Sequence, residues 1–539
     1  MKIGNFSLIV LSFIAATFPI RAASGKQANV NAELVVNVTG GLVSGVPGND
    51  PSILTYKGIP FAAPPVGGLR WRAPQPVVAW PGVLRAGKFS ASCIQQIVLE
   101  LGPWTWEFMT HNDVSEDCLY LNVFTPAKLA SEKRPVFVHI YGGGFMGGSA
   151  VVPIYDGEGL AKKGLIVVTF NYRLGALGFL AHPELTSESG HNASGNYGLM
   201  DQIAALLWVH ENIARFGGDP NNVTIAGQSA GSMSVHDLTA SPLARGLFHR
   251  AIAQSGGSSI GGIGITIEPQ ALASAETEGH KFAEAKGAKS LAELRALSWQ
   301  KILEPLPGAN PMPGPRFAPI VDGYVLPAPF MQIVAQGKQN DVETLTGGTT
   351  GELGGLAAMF GSHSPTTAKE FQDLARKKYG STADEFLKLY PAADDEQAKT
   401  AQQESTRDEA LVAMYLWARV RSKTAKTKVY EYLWDHAIPG PDAAKYGAFH
   451  SSEIPYVMNN LDTSKRPFTD ADRKIAAMMS SYWANFAATG DPNASGLPSW
   501  SPISEKHVVM EVGDNTGPIP LAQSPARIEF FMKALAGSK

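Results

Sequence analysis

Residues 222–232 read Asn-Val-Thr-Ile-Ala-Gly-Gln-Ser-Ala-Gly-Ser, and their types and spacing suit a nucleophile. Val223–Ala226 is short and apolar, as a buried strand is. Gly227-Gln228-Ser229-Ala230-Gly231 fits G-x-S-x-G, and the residues from Ser232 onward can continue as a helix. A strand that turns at once into a helix needs a tight corner. The serine at its apex is held in a strained backbone, and glycines two residues to either side leave room for the neighbouring chain. The Ser229 hydroxyl then stands clear of the sheet, above a helix N-terminus. The pentapeptide alone is common by chance; the strand before it and the helix after it give it meaning.

A serine hydroxyl is a poor nucleophile until a base takes its proton and a carboxylate orients that base. On such an elbow the chain order is serine, acid, histidine. The base therefore lies beyond residue 229, among His236, His249, His280, His363, His436, His450 and His507. His236 belongs to the elbow helix, and His249, His280 and His363 fall in insertions or at helix ends. His450 lies in the loop Gly447-Ala-Phe-His-Ser-Ser-Glu-Ile-Pro, from which a ring can swing over a nucleophile; it is preferred, with His436 at a strand end second. For the acid, Val342–Glu352 supplies a strand, a glycine turn and a carboxylate, with Asp322 as rival and an exposed loop glutamate as the bland alternative. An oxyanion needs two or three aimed N–H donors. Ala230, next to the nucleophile, offers one. The run Tyr141-Gly-Gly-Gly-Phe145 offers others, because glycine amides approach a substrate with no Cβ in the way.

Three decoys carry nothing. Gly142-x-Gly144-x-x-Gly147 matches a dinucleotide fingerprint, but the residues after it do not open a helix. Gly82-x4-Gly87-Lys88 is followed by Phe89 where a phosphate loop needs Ser or Thr, and His210-Glu211 lacks the second histidine of a zinc helix. No nucleotide, metal or other cofactor is expected.

The elements that must position these residues alternate between strand-like and helical. Pro135–Tyr141, Leu165–Tyr172, Val223–Ala226, Arg250–Gln254, Val342–Thr346 and Val429–Trp434 read as strands, and Gly198–Phe216 and Thr469–Thr489 as helices. This predicts an α/β architecture with a mostly parallel central sheet flanked by helices. Thr469 and Asp472 can cap the second helix and Gly490 can end it; Ile475, Met478, Tyr482 and Phe486 form its core stripe. Residues near 257–335 and 355–425 are rich in Ala, Gly and Pro and read as helical cap insertions within one domain spanning 25–539.

Composition bounds the rest. The 539 residues are 44% hydrophobic and 17% charged, which is globular, and a net charge of −3 argues against a nucleic-acid partner. Lys2, the apolar run Phe6–Phe18 and small residues at Ala22, Ala23 and Ser24 read as a secretory signal peptide over residues 1–24, cleaved near Ala22–Ser24. The run is short of the ~20 apolar residues of a membrane span. The protein is thus expected to be secreted or periplasmic. In an exported chain the two cysteines, Cys93 and Cys118, read as a disulfide, with two separate buried thiols as the alternative. Asn37, Asn192, Asn222 and Asn493 open glycosylation sequons that matter only in a eukaryotic host.

With these residues in hand, the chain resembles the type-B carboxylesterases, the α/β-hydrolases that include the cholinesterases. The resemblance runs from about residue 35 to about 500 along ordered landmarks: Gly58-Ile-Pro-Phe-Ala-Ala-Pro-Pro, Leu69-Arg-Trp-Arg, Ser115-Glu-Asp-Cys-Leu-Tyr-Leu-Asn122, Asn171–Phe179, Gly195–Gln202, Phe216–Asn221 and Trp483–Asn493. It implies an α/β-hydrolase fold and a serine carboxylesterase acting on a small-molecule ester through an acyl-enzyme. Ser229 would be nucleophile, Glu352 acid and His450 base, with Gly143, Gly144 and Ala230 as oxyanion hole. It also implies a Cys93–Cys118 bridge and buried pairs Arg70–Glu116 and Arg173–Asp201. Two departures stand out. The acid sits in Gly351-Glu352-Leu353 where the family has Asp-Glu-Gly, and Gln228 stands where the family more often has a glutamate. That glutamate serves cationic substrates in cholinesterases, so Gln228 turns the reading toward neutral esters. Trp104, Trp106, Phe145 and Phe360 are pocket candidates, each of which could equally be core. Some bacterial members hydrolyse bulky esters such as those of fumonisin toxins, and no residue selects that substrate here. The rivals are a non-catalytic binding or adhesion protein on the same fold, and an amidase or thioesterase on the same triad.

Overall fold

The computed structural model describes residues 34–256, 269–305, 317–352, 356, 367–440, 443–504 and 506–536. The leader expected over residues 1–24 and the pocket candidate Phe360 lie outside these.

Among the described residues, the spine is an eleven-stranded sheet. Its strands are β1 (Val46–Pro47), β2 (Leu54–Pro60), β3 (Tyr120–Thr125), β4 (Arg134–Ile140), β5 (Ile166–Phe170), β6 (Gly218–Gln228), β7 (Arg250–Gln254), β8 (Glu343–Thr349), β9 (Val429–Trp434), β10 (Val508–Val512) and β11 (Gly517–Pro520). They lie side by side in the order β1-β2-β3-β5-β4-β6-β7-β8-β9-β10-β11. Strands β4 to β10 run parallel, and the edge strands join antiparallel. Parallel strands are covered on both faces, which is why they read as continuous apolar runs. Ile-Val-Val-Thr-Phe of β5 is buried at every position.

The strand expectations at Arg250–Gln254 and Val429–Trp434 match the structure residue for residue. The strand before the elbow is longer than its apolar core, running Gly218–Gln228 with a register slip between Gly218 and Val223. The expected helix over 198–216 divides. Helix α1 covers Tyr197–Asn212, and Ile213–Phe216 tightens to a 3-10 turn that ends at Gly217, whose φ is 85°.

Helix α2 (Ala230–Ala240) follows the elbow and is buried along its whole length. Helix α3 (Asp395–Ser422) lies on one face of the sheet and helix α4 (Asp470–Thr489) on the other. Tyr430 and Tyr432 of β9 meet Phe486 and Trp483 of α4, at 6.0 and 5.1 Å between ring centres. Thr346, in register with Glu431, instead reaches Met414 of α3. The α4 capping box is as expected: Thr469 and Asp472 bond reciprocally, and Gly490 ends the helix at φ 82°. Its apolar stripe is wider than the sequence suggested. Met479 and Trp483 are fully buried while Met478 is only partly so, because the helix lies flat across several strands. Among the described residues no helix is long and apolar enough to cross a membrane.

Three side-chain links tie the edge of the fold together. Cys93 and Cys118 are joined by a disulfide with Cα atoms 5.0 Å apart. Arg70 binds Glu116 through two N–H···O contacts of 2.7 and 2.6 Å. Arg173 binds Asp201 through two of 2.8 Å, and Asp201 also accepts the Arg173 backbone N–H.

Candidate active site

At the end of β6 the chain turns into α2 through Ser229, whose backbone lies at φ 59°, ψ −124°. A non-glycine residue at positive φ is strained and persists only where its surroundings hold it. They do so here by exclusion. A Cβ at Gly227 would stand 2.3 Å from Gly231 O, and one at Gly231 would stand 2.1 Å from Ile140 O. The Ser229 N–H donates to Gln254 O at 2.9 Å, tying the apex to β7.

Two chain segments converge on this corner. Glu352 follows β8; its Oε1 accepts the Thr349 N–H at 3.0 Å, and its Oε2 is hydrogen-bonded to His450 Nδ1. The isolated bridge between Gly351 and Phe449 holds the two segments side by side. The other ring nitrogen, Nε2, faces Gln228 Nε2 at 3.1 Å, one residue from Ser229. Glu352 and His450 are 2% and 3% exposed. Burial pushes the imidazole down, but the charges of Glu352 and Glu453 and the bond to Glu352 outweigh it, so His450 titrates above its ordinary value.

The rivals are occupied elsewhere. His436 pairs with Asp472 and Asp514 at 2.9 and 2.7 Å. Asp322 accepts the backbone N–H groups of Tyr324 and Leu326, closing a turn.

The glycine loop lies against the elbow. A Cβ on Gly142 would meet Gln228 O at 2.6 Å and Ser229 Cβ at 3.0 Å. Gly143 and Gly144 take φ of 109° and 65°. The loop closes on itself through Met146 and Gly147, whose N–H groups donate to Gly143 O. Among the described residues, nothing beyond its own chain neighbours lies within 4 Å of where a Gly144 Cβ would be. Tyr141 and Tyr172 anchor its start, stacked at 4.4 Å with each hydroxyl donating to the other's carbonyl.

Two buried neighbours complete the surroundings: Glu453, to which the sequence reading gave no role, and Trp104, read as a pocket candidate. Glu453, three residues past His450, is fully buried; its Oε1 accepts from Gln254, and its Oε2 has no partner among the described residues. Burial and the nearby Glu352 charge push its carboxyl up to about 7. Trp104 donates its indole N–H to His450 O at 3.0 Å. Of the other pocket candidates, Phe145 has no exposed surface and packs edge-on against Phe179, which is the core alternative. Trp106 is 53% exposed and stacks on His111. Among the described residues no cluster of side chains could hold a metal ion.

A strained serine, a histidine bonded to a buried carboxylate and a glycine loop at the ends of parallel strands define an α/β-hydrolase. The profile of the Carboxylesterase family matches residues 32–531, and the chain belongs to that family. It is thereby a carboxylic ester hydrolase. It is 36% identical to the fumonisin B1 esterase of Sphingopyxis macrogoltabida over 523 residues, 94% of this chain and 92% of that protein. It is 34% identical to the para-nitrobenzyl esterase of Bacillus subtilis, over 88% of this chain and 93% of that one. Human cocaine esterase is 32% identical, over 92% and 90%.

Proposed function

We propose that the protein is an exported serine carboxylesterase that hydrolyses neutral esters through an acyl-enzyme on Ser229. The observation that carries this reading is the bond between His450 Nδ1 and Glu352, with Nε2 turned to the elbow. His450 Nε2 takes the Ser229 proton as Oγ attacks the acyl carbon. Glu352 keeps the ring in the Nδ1–H tautomer and stabilises the imidazolium. The N–H groups of Gly143, Gly144 and Ala230 receive the oxyanion, each on the order of 3 kcal/mol. The C–O bond then breaks, His450 gives its proton to the departing alkoxide, and water repeats the sequence on the acyl-enzyme to release the acid.

Family membership supports the reaction class, and Gln228 in place of a carboxylate supports neutral substrates. Export rests on the leader motif, with cleavage near Ala22–Ser24. N-terminal sequencing of the mature protein checks it, and a start at Met1 refutes it.

Ser229→Ala is expected to fold normally and to lose turnover of a p-nitrophenyl ester by at least about 10³-fold. The wild type is expected to be labelled at Ser229 by an organophosphonate. Retained turnover in the variant, or no labelling of the wild type, refutes the assignment.

A further inference from the structure

The contact between Gln228 and His450 is not required by the reaction as written, and it occupies the atom on which that reaction depends. Gln228 and His450 are 2% and 3% exposed, and their side-chain nitrogens approach to 3.1 Å. Among the described residues, the hydrogen-bond partner of His450 Nε2 is Gln228, the residue before Ser229 at the elbow.

A neutral imidazole carries one proton. Nδ1 faces the Glu352 carboxylate, which can only accept, so the proton sits there and Nε2 presents its lone pair. The amide group that can face a lone pair is N–H, so the Gln228 amide donates to Nε2. The Gln228 backbone cannot move aside to end this contact. It is the last residue of β6, in register with Gln254 of β7, and its carbonyl lies where a Gly142 side chain would be. Only the side-chain torsions are free to turn.

We propose that Gln228 is a positioning residue for His450: its amide N–H caps Nε2 in the resting enzyme, and this cap must rotate away before Ser229 can pass its proton to the ring. The inference rests on the triad reading above. Capping fixes the tautomer that catalysis needs and favours the neutral ring. Once Nε2 is protonated, two donors would face each other, and half a turn of the amide presents Oε1 as acceptor instead. One side chain thus serves both charge states of the base. A glutamate here offers acceptors only and favours the imidazolium from the start. Among the described residues, the charged groups facing the ring are Glu352, after β8, and Glu453, in the loop that carries His450; Trp104 lies edge-on and is uncharged.

The test compares wild type, Gln228→Glu and Gln228→Met. It reads the pH profile of kcat/KM on p-nitrophenyl acetate and the rate of inactivation by a neutral organophosphonate on the alkaline plateau. Gln228→Glu is expected to move the acid limb upward by about one pH unit or more, because a carboxylate bonded to Nε2–H stabilises the imidazolium. Gln228→Met has similar length and no donor. It is expected to raise the plateau inactivation rate several-fold with KM unchanged, since the lone pair is uncapped. A role in packing alone moves neither readout. An unmoved acid limb in Gln228→Glu, or an unchanged or slower plateau rate in Gln228→Met, overturns the proposal. Wild-type protein that is not labelled at Ser229 overturns the triad reading and this one with it; labelled wild type with unmoved variants overturns this one alone.

Discussion

Replacing Glu352 by Gln removes one charge and almost no volume, so its effect can be worked out from the contacts. Glu352 Oε1 accepts the Thr349 N–H at 3.0 Å while Oε2 binds His450 Nδ1. A Gln amide has one acceptor and one donor end. If its oxygen keeps the Thr349 bond, its NH2 faces Nδ1, which must then carry the lone pair. The proton is driven to Nε2, and the ring cannot take one from Ser229. If the amide turns round, the tautomer is right, but the NH2 abuts the Thr349 N–H, at a cost of about 1–3 kcal/mol for the lost and opposed donors. In either arrangement the developing imidazolium loses its counter-charge. With centres of charge ~4 Å apart and an effective dielectric of 20, that is roughly 4 kcal/mol, or a factor of about 10³ in rate. Glu352→Gln is therefore expected to fold like wild type and lose about 10³- to 10⁴-fold in kcat on a p-nitrophenyl ester. A pH profile adds a second readout. Glu352 is the main influence holding His450 above its ordinary value against the push of burial. Without it the residual activity should show an acid limb at lower pH. A variant within tenfold of wild type, or an acid limb that moves up, refutes the reasoning.

Two further outcomes follow from groups outside the proposed triad. Glu431 stands on β9 with both carboxylate oxygens buried and without a hydrogen-bond partner among the described residues, and burial holds it well above the usual carboxylate range. A carboxyl raised on folding is protonated in the native state at pH values where the unfolded chain has already released its proton. Its contribution is complete below ordinary carboxylate values and is lost as pH rises, by up to about 1.4 kcal/mol per pH unit. Glu453 and Asp237, raised to about 7 and about 8, act in the same direction. Melting temperature is expected to fall from pH 5 to pH 9, and Glu431→Gln to flatten that fall and melt above wild type at pH 8; parallel curves for the two proteins would dismiss the argument. The disulfide closes a loop of 25 residues, so Cys93→Ser/Cys118→Ser is expected to lose about 3 kcal/mol in urea unfolding, and an unchanged midpoint would show that the bridge constrains little.

What was legible in the sequence follows from what is local. The elbow could be read because strand, glycines and helix are contiguous, and its geometry is set by neighbours two residues away. The α4 caps could be read for the same reason. His450 and Glu352 were readable from chain order, yet residues alone left His436 and Asp322 open. In the structure both are engaged elsewhere, by bonds to Asp472 and Asp514, and to backbone N–H groups, that only the folded chain brings near. Glu453 was in view three residues from His450, but a carboxylate's role depends on burial, which the motif does not encode. Glu431 interrupts an apolar strand, and the pattern gave no hint that nothing would pair with it. Gln228 was read for the charge it withholds from a substrate. Its contact with His450 joins residues 222 positions apart and has no sequence signature.

The same site concentrates backbone strain and buried charge. Phe145, Ser229, Ser255 and Ser451 are non-glycine residues at φ of 62°, 59°, 51° and 81°, each costing on the order of 1–3 kcal/mol. Each belongs to, or adjoins, a segment that carries the glycine loop, Ser229, Gln254 or His450. Strands β4 and β6 to β9 end here, and their parallel ladders fix where these segments start, so the strain cannot relax by moving one of them alone. Charge is held with comparable economy. Two carboxylates and an imidazole share a water-poor volume in which an unbalanced ion is costly. With its value raised to about 7, Glu453 is ionised on the alkaline side of that point, where the volume holds two carboxylates against one imidazole. In the proposed reaction the imidazolium lessens that imbalance as it forms, which places the electrostatic advantage in the transition state and not in the resting enzyme.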